Sequence, residues 1–100
     1  VEIASQILQY VDRNYKENCS IEELSQKFNY SRGYLTTLLK KVIGEPWPDF
    51  VNRLRVRYAH NRLTKDANVS VDDVAIECGF NSMMTFYRAY KKVYQKTPRR

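Results

Sequence analysis

Long apolar stretches are missing from this 100-residue sequence, which excludes a membrane-spanning helix, because such a helix needs a run of about 18 apolar residues. The sequence also lacks a charged-then-apolar leader with a small-residue cleavage site, so we expect a cytoplasmic protein. Cysteine is scarce. Cys19 and Cys78 each fall at an apolar position of a predicted helix, and we expect buried thiols rather than a disulfide.

Catalytic and metal-binding patterns are missing as well. His60, the one histidine, has no nucleophile or carboxylate at a meaningful spacing, and the two cysteines form neither a CxxC pair nor a zinc set. No phosphate-binding or dinucleotide-binding glycine motif occurs. We therefore predict no enzyme activity, no cofactor and no metal, with His60 on the surface of a connecting helix.

Acidic residues are unevenly spread along the chain. The formal net charge is +6, but residues 1–25 sum to −3, so the remaining residues carry +9. A basic surface of this density favours a polyanionic partner, nucleic acid before an acidic membrane, although charge can also serve solubility alone. With 43% apolar residues the chain can bury a core, as one compact domain or as two small lobes.

An internal repeat is the most informative feature that is present. Residues 20–41 read SIEELSQKFNYSRGYLTTLLKK, and residues 70–92 read SVDDVAIECGFNSMMTFYRAYKK. Each copy begins with a serine that can cap a helix and an acid three residues later. The pairs are Ser20 with Glu23 and Ser70 with Asp73. Turn residues follow in each copy, so each copy predicts two helices joined by a short turn.

The turn between the two helices identifies the repeated unit. A steep helix crossing needs a backbone position with positive φ, which glycine tolerates freely and asparagine tolerates better than most residues. Asn29 and Gly79 lie at matched positions, and four residues earlier Ser25 and Ala75 are both small. This spacing is typical of the helix-turn-helix, whose second helix enters the DNA major groove.

Apolar periodicity supplies each predicted helix with one buried face. A first helix with Ile3, Ile7, Val11 and Tyr15 on one side is expected to stop near Asn18. The first copy is expected to end at Gly44 and to bury Ile21, Leu24, Phe28, Leu35, Leu38, Leu39 and Val42. The second copy is expected to bury Val71, Val74, Ala75, Cys78, Phe86, Tyr90 and Val93.

A basic helix over residues 48–65 is predicted to connect the copies, with Pro48 and Asp49 suited to its start. Its inward positions are Phe50, Val51, Leu54, Tyr58, Ala59 and Leu63. Such a helix is roughly 27 Å long, and successive major-groove segments on one face of DNA are about 34–36 Å apart. We therefore predict an all-α fold with lobe one at 1–45, a connector at 46–66 and lobe two at 67–100, in which one polypeptide imitates a dimer.

A family resemblance supports this organisation. Residues 74–98, VAIECGFNSMMTFYRAYKKVYQKTP, resemble the C-terminal signature of AraC/XylS-type transcription regulators, and residues 54–63, LRVRYAHNRL, are similar to the linker of that family. The resemblance implies a bilobed fold of about seven helices, the last one truncated, as the DNA-binding end of a longer bacterial regulator that activates or represses transcription. RNA polymerase is a further partner to consider, and oligomerisation is expected through a segment outside this fragment.

Two positions depart from the family pattern. Thr37 stands where members often carry arginine, and Gln95 replaces a usual glycine. Because threonine replaces arginine at residue 37, lobe one is expected to read bases weakly.

The expected DNA contacts lie on the second helix of each copy, because such a helix presents its N-terminal residues to base edges. They are Arg32, Gly33, Thr36, Thr37 and Lys40 in lobe one, and Ser82, Met83, Met84, Tyr87, Arg88 and Lys91 in lobe two. Arg88 is the strongest candidate because arginine with guanine is the commonest specific contact, the alternative being a salt bridge to Glu77 or Asp73. The two methionines could contact thymine methyls or pack on the connector.

Contacts to phosphate are expected from Ser20, Ser31, Lys41, Arg55 and Lys92. The serines mark helix starts, where backbone amides bind anions. Arg55 could instead pair with Asp72 or Asp73 inside lobe two, and that role is slightly favoured.

These patterns together predict sequence-specific binding of double-stranded DNA for transcription regulation. The alternative is a helical module that binds another protein and contacts DNA weakly or without specificity. Stacking of single-stranded bases on the tyrosines is less favoured, because Tyr15, Tyr58 and Tyr90 fall at core positions.

Overall fold

The structure is a computed structural model that describes residues 2–98. Over these residues the chain forms six α-helices and no strand, which confirms the predicted all-α class. The helices are α1 (Glu2–Asn14), α2 (Ile21–Phe28), α3 (Arg32–Ile43), α4 (Trp47–Lys65), α5 (Val71–Glu77) and α6 (Met83–Tyr94). None of these six is long and apolar enough to cross a membrane.

The prediction of about seven helices is too high for the described residues. α6 ends at Gln95, whose φ of 61° is left-handed and whose N–H bonds the Lys91 carbonyl. Residues 95–98 are not helical, and residues 99 and 100, where the rest of the expected last helix would fall, lie outside the described residues.

Two compact units divide the chain after Val51, and each is described by itself. Unit 1 contains α1, α2, α3 and the first residues of α4. Unit 2 contains the rest of α4 together with α5 and α6. Each unit therefore holds one complete copy of the sequence repeat.

The buried face of unit 1 follows the predicted periodicity in part. Five residues that were expected to be buried are half-buried: Ile3, Tyr15, Ile21, Phe28 and Leu38. Its buried residues are Ala4, Ile7, Val11, Cys19, Leu24, Leu35, Leu39, Trp47 and Val51. Trp47 donates its indole N–H to the Cys19 carbonyl at 2.7 Å, which ties the start of α4 to the loop after α1. Val42 was expected to be buried, but it is 49% exposed because it lies in the last turn of α3, beyond the stretch that the core covers.

The first helix ends earlier than predicted. α1 stops at Asn14 rather than near Asn18, because the Asn14 side-chain amide donates to the Tyr10 carbonyl and the Cys19 thiol donates to the Asn14 carbonyl. Cys19 therefore lies in a loop, and Cys78 lies at the C-cap of α5, so neither is inside a helix as expected. Both are nevertheless buried and neither is in a disulfide, as predicted.

Of the two hydrogen bonds of the predicted capping box at the start of α2, one forms and the other is replaced. Ser20 accepts a hydrogen bond from the Glu23 N–H at 3.1 Å. The Ser20 N–H, however, donates to the Asn18 side chain at 3.0 Å, so the Glu23 carboxylate does not take the reciprocal role of a capping box. An asparagine two residues upstream satisfies the amide instead.

The hydrogen bond that Ser20 accepts at the start of α2 should contribute to folding stability. We expect Ser20→Ala to lower the free energy of unfolding by about 1 kcal/mol, because an amide at the helix start loses its acceptor. Ser5→Ala is the matched control, since Ser5 is exposed inside α1 and alanine is the better helix former. Urea unfolding of both variants measures the difference, and equal changes would contradict the capping role of Ser20.

Unit 2 is built around one apolar core. Its buried members are Val56, Ala59, Leu63, Val74, Ala75, Cys78, Phe80, Phe86 and Tyr90. Val56 was not among the predicted inward positions of the connector, whereas Phe50, Leu54 and Tyr58, which were, are only half-buried. The buried stripe of α4 in unit 2 therefore runs through Val56, Ala59 and Leu63, spaced by three and four residues.

Polar contacts also join α4 to the helix-turn-helix of unit 2. The Glu77 carboxylate accepts hydrogen bonds from the Tyr58 hydroxyl and from Arg62, and this carboxylate raises the pKa of Arg62 above its usual value. His60 was expected on the surface, but it is half-buried, lies 2.7 Å from the Tyr90 hydroxyl through Nδ1 and stacks on Tyr94. Burial raises the pKa of Tyr90, so its hydroxyl keeps its proton at neutral pH.

Candidate nucleic-acid interface

Both units contain two helices joined by a tight turn. In unit 1, residues 29–31 join α2 to α3, and in unit 2, residues 78–82 join α5 to α6. Asn29 has φ 65° and Gly79 has φ 107°, so both predicted turn residues adopt positive φ. The Asn29 N–H bonds the Ser25 carbonyl and the Phe80 N–H bonds the Ala75 carbonyl, which closes each turn on the small residue predicted there.

In the helix-turn-helix of unit 1 the second helix is α3. Ser31 caps the start of α3 by accepting a hydrogen bond from the Tyr34 N–H at 3.1 Å. Leu35 and Leu39 are buried, which turns the opposite side of the helix outward. The expected contact residues Arg32, Gly33, Thr36, Thr37 and Lys40 are all exposed, as is Lys41. A Cβ added at Gly33 would meet nothing within 4 Å, so this first turn is open on its outer side.

In the helix-turn-helix of unit 2 the second helix is α6. Ser82 caps the start of α6 by accepting a hydrogen bond from the Thr85 N–H at 3.3 Å. Of the expected contact residues, Ser82, Met84, Tyr87, Arg88 and Lys91 are exposed. Met84 is 69% exposed and Tyr87 41%, so both side chains are accessible to a ligand. Met83 is half-buried and packs against the core of unit 2, so the structure separates the two methionines.

Among the residues that the structure describes, the Arg88 guanidinium makes no ion pair. Its proposed partner Glu77 is bonded to Arg62 and Tyr58 instead, and no ion pair joins Arg88 to Asp73 among residues 2–98. Arg88 is therefore exposed and available to a ligand.

The expected phosphate-contacting residues fall into two groups. Ser20 and Ser31 are exposed N-caps, and Lys41 and Lys92 are exposed near the ends of their helices. Arg55 is half-buried, and its guanidinium lies over the Phe80 ring at 5.9 Å from the centroid. This cation–π contact is an interaction of Arg55 within unit 2, and its contact to phosphate stays a prediction.

An exposed aromatic pair beside α3 was not predicted. Tyr30 and Tyr34 stack with ring centroids 5.4 Å apart, and they are 41% and 48% exposed. The sequence gives only a weak signal for this aromatic pair. Tyr34 directly precedes the buried Leu35, and its exposed position follows only from the geometry of the helix.

Comparison with protein-family models matches residues 24–100 to the family described as "Helix-turn-helix domain". The chain belongs to the AraC-type helix-turn-helix family. The family consists of DNA-binding domains of transcription regulators rather than enzymes, which confirms the coarser part of the prediction, DNA binding in transcription regulation.

Relatives of this AraC-type domain carry names that agree with the family. An uncharacterized HTH-type transcriptional regulator from Staphylococcus aureus is 27% identical over 95 residues, which is 95% of this chain and 13% of that protein. The HTH-type transcriptional activator AarP from Providencia stuartii is 27% identical over 89% of this chain and 65% of AarP. The chain thus spans only a small part of the staphylococcal regulator.

Solved structures similar to this AraC-type domain include a protein of unknown function from Listeria innocua, 32% identical with a TM-score of 0.91 over 96% of this chain and 90% of that chain. The C-terminal domain of the two-component response regulator yesN from Fusobacterium nucleatum is 27% identical with a TM-score of 0.84, over 98% and 95% of the two chains. The C-terminal domain of the response regulator AraT from Geobacillus stearothermophilus has a TM-score of 0.89 over 98% of this chain and 81% of that chain; at 20% identity this likeness shows the fold.

Proposed function

We propose that the chain binds double-stranded DNA sequence-specifically, with α3 and α6 as recognition helices in two successive major-groove segments. One observation carries the proposal: at a constant offset, four of the expected contact positions are exposed in both helices, and the buried Leu35 and Leu39 match the buried Phe86 and Tyr90. The exposed pairs are Gly33 and Met84, Thr36 and Tyr87, Thr37 and Arg88, and Lys40 and Lys91. Two helices that present the same positions outward are suited to the same task.

The side chains at these positions differ in ways that favour different DNA contacts. In unit 2, Arg88 can donate two hydrogen bonds to O6 and N7 of guanine, and Met84 offers an apolar surface to a thymine methyl. In unit 1, Thr36 and Thr37 offer short hydroxyls, which contact bases or phosphates less selectively. We infer that unit 2 supplies more of the base reading than unit 1.

Charge supports the proposal through the phosphate backbone. The net charge of +6 favours DNA of any sequence, and the exposed lysines Lys40, Lys41, Lys91 and Lys92 lie on the two recognition helices. Helix N-termini at Ser20, Ser31 and Ser82 can add backbone amide donors for phosphate oxygens.

The proposed spacing of the two contacts follows from the presence of two recognition helices in one chain. Successive major-groove segments on one face of DNA lie about one helical turn apart. We therefore expect a binding site with two short blocks about 10 base pairs apart, centre to centre.

A salt titration tests duplex binding. Fluorescence anisotropy with random 30-base-pair duplexes is expected to show binding at low salt. Between 50 and 200 mM salt, affinity is expected to fall by about a thousandfold if some six phosphates are contacted. Absence of binding at low salt would contradict the proposal.

The second candidate function is a helical protein-interaction module, and the exposed Tyr30, Tyr34 and Val42 of unit 1 favour it. That reading gains support if duplex binding is absent or shows little dependence on salt. RNA polymerase as a partner, oligomerisation through other parts of a longer protein and the direction of regulation remain predictions.

A further inference from the structure

An exposed ion pair lies at the N-terminus of the recognition helix of unit 1. Arg32 is the first residue of α3, and its Nη1 donates to Oε2 of Glu22 in the first turn of α2 at 3.0 Å. The two side chains are 65% and 73% exposed, so solvent and a ligand can reach both. Glu22 lies outside the segment matched by the family model, which begins at residue 24.

The two charges lie so close together that a nearby phosphate interacts electrostatically with both. At 0.15 M salt the Debye length is about 8 Å, which exceeds the 3.0 Å separation of the pair. A phosphate approaching α3 therefore senses the carboxylate together with the guanidinium, and the attraction due to Arg32 is largely cancelled. Such a pair also contributes little to counterion release, because its positive charge is already neutralised.

An exposed ion pair of this kind is a weak internal restraint. Pairs with this exposure contribute little to folding stability, so there is little reason to expect Glu22 to hold the fold together.

We propose that Glu22 limits the sequence-independent affinity for DNA: by neutralising Arg32 it weakens the attraction to phosphates at the recognition helix of unit 1. The inference rests on the proposed function. Its consequence is that DNA of any sequence is bound less tightly with Glu22 present, while contacts to base edges elsewhere are retained.

Glu22→Gln tests the inference, because it removes the charge and keeps the size of the side chain. We expect Glu22→Gln to tighten binding to random duplexes about two- to fivefold and to steepen the slope of log K against log salt by up to about 0.9, the contribution of one phosphate. The gain on a selected cognate duplex should match the gain on random duplexes, because the attraction to phosphates does not depend on the base sequence. Melting curves are expected to be unchanged.

Two control variants separate the pair from net charge. Asp12→Asn makes the same charge change at an exposed position of α1, and it is expected to leave the salt slope unaltered. In an Arg32→Gln background, Glu22→Gln should tighten binding less than it does in the unaltered chain, because no guanidinium is freed and only the repulsion by the carboxylate is removed.

The outcomes are distinguishable. If the unaltered chain fails to bind duplex DNA at low salt, the proposed function falls and the inference falls with it. If the chain binds but Glu22→Gln weakens binding, Glu22 orients Arg32 for a contact and the inference alone is overturned. A gain of the same size without Arg32, or one that Asp12→Asn reproduces, also overturns it.

Discussion

Replacing Gly79 with valine is expected to destabilise unit 2 by about 1–3 kcal/mol or more. Gly79 has φ 107°, a conformation that side chains with a Cβ rarely adopt, and a β-branched residue is the least tolerant of it. The strain falls on the turn in which the Gly79 N–H bonds the Ile76 carbonyl and the Phe80 N–H bonds the Ala75 carbonyl. For a domain of this size each kcal/mol corresponds to a shift in Tm of roughly 4–8 °C, which thermal unfolding followed by circular dichroism detects readily.

Gly33→Ala is the matched control for this substitution. Gly33 lies in the first turn of α3 and has open space around it, so an added methyl group is expected to leave the melting curve unchanged or to raise Tm slightly. An unchanged melting curve for Gly79→Val would contradict the account of the turn.

Arg88→Ala is expected to cost about 1–3 kcal/mol of binding free energy on a cognate duplex and to relax the base preference at one position. The reason is that Arg88 is exposed on the outer face of α6, while Glu77, one of its two proposed acid partners, is bonded to Arg62 and Tyr58. Competition titrations with duplexes changed one base pair at a time measure both effects.

Arg13→Ala controls for the loss of one positive charge, since Arg13 is exposed in the last turn of α1. It is expected to weaken binding little and to leave every base preference intact. Equal weakening by Arg88→Ala on all duplexes would show that Arg88 contacts phosphate and does not read a base.

Local patterns in the sequence predicted most of what positions the site. The serine caps, the positive φ at Asn29 and Gly79 and the buried Leu35 and Phe86 all depend on residues within a few positions of one another. Such short-range constraints are visible as spacing and residue type. Both helix pairs and the outward faces of α3 and α6 are therefore predictable from the sequence.

Features that depend on partners distant in the sequence were missed. His60 is stacked on Tyr94 and bonded to Tyr90 thirty positions away, and the Glu22–Arg32 pair joins residues ten positions apart on different helices. Periodicity places a side chain on a face, but the identity of its neighbour is set by how the helices pack. The early end of α1 has a similar cause, because Asn14 is held by contacts from the loop that follows.

Selection of bound sequences from a random duplex pool tests the central claim most directly. If α3 and α6 both act as recognition helices, the enriched sequences should contain two short conserved blocks about 10 base pairs apart, with a guanine in the block that loses its preference in Arg88→Ala. Enrichment of a single block, or of no sequence at all, would contradict the claim that this chain reads DNA through two helices.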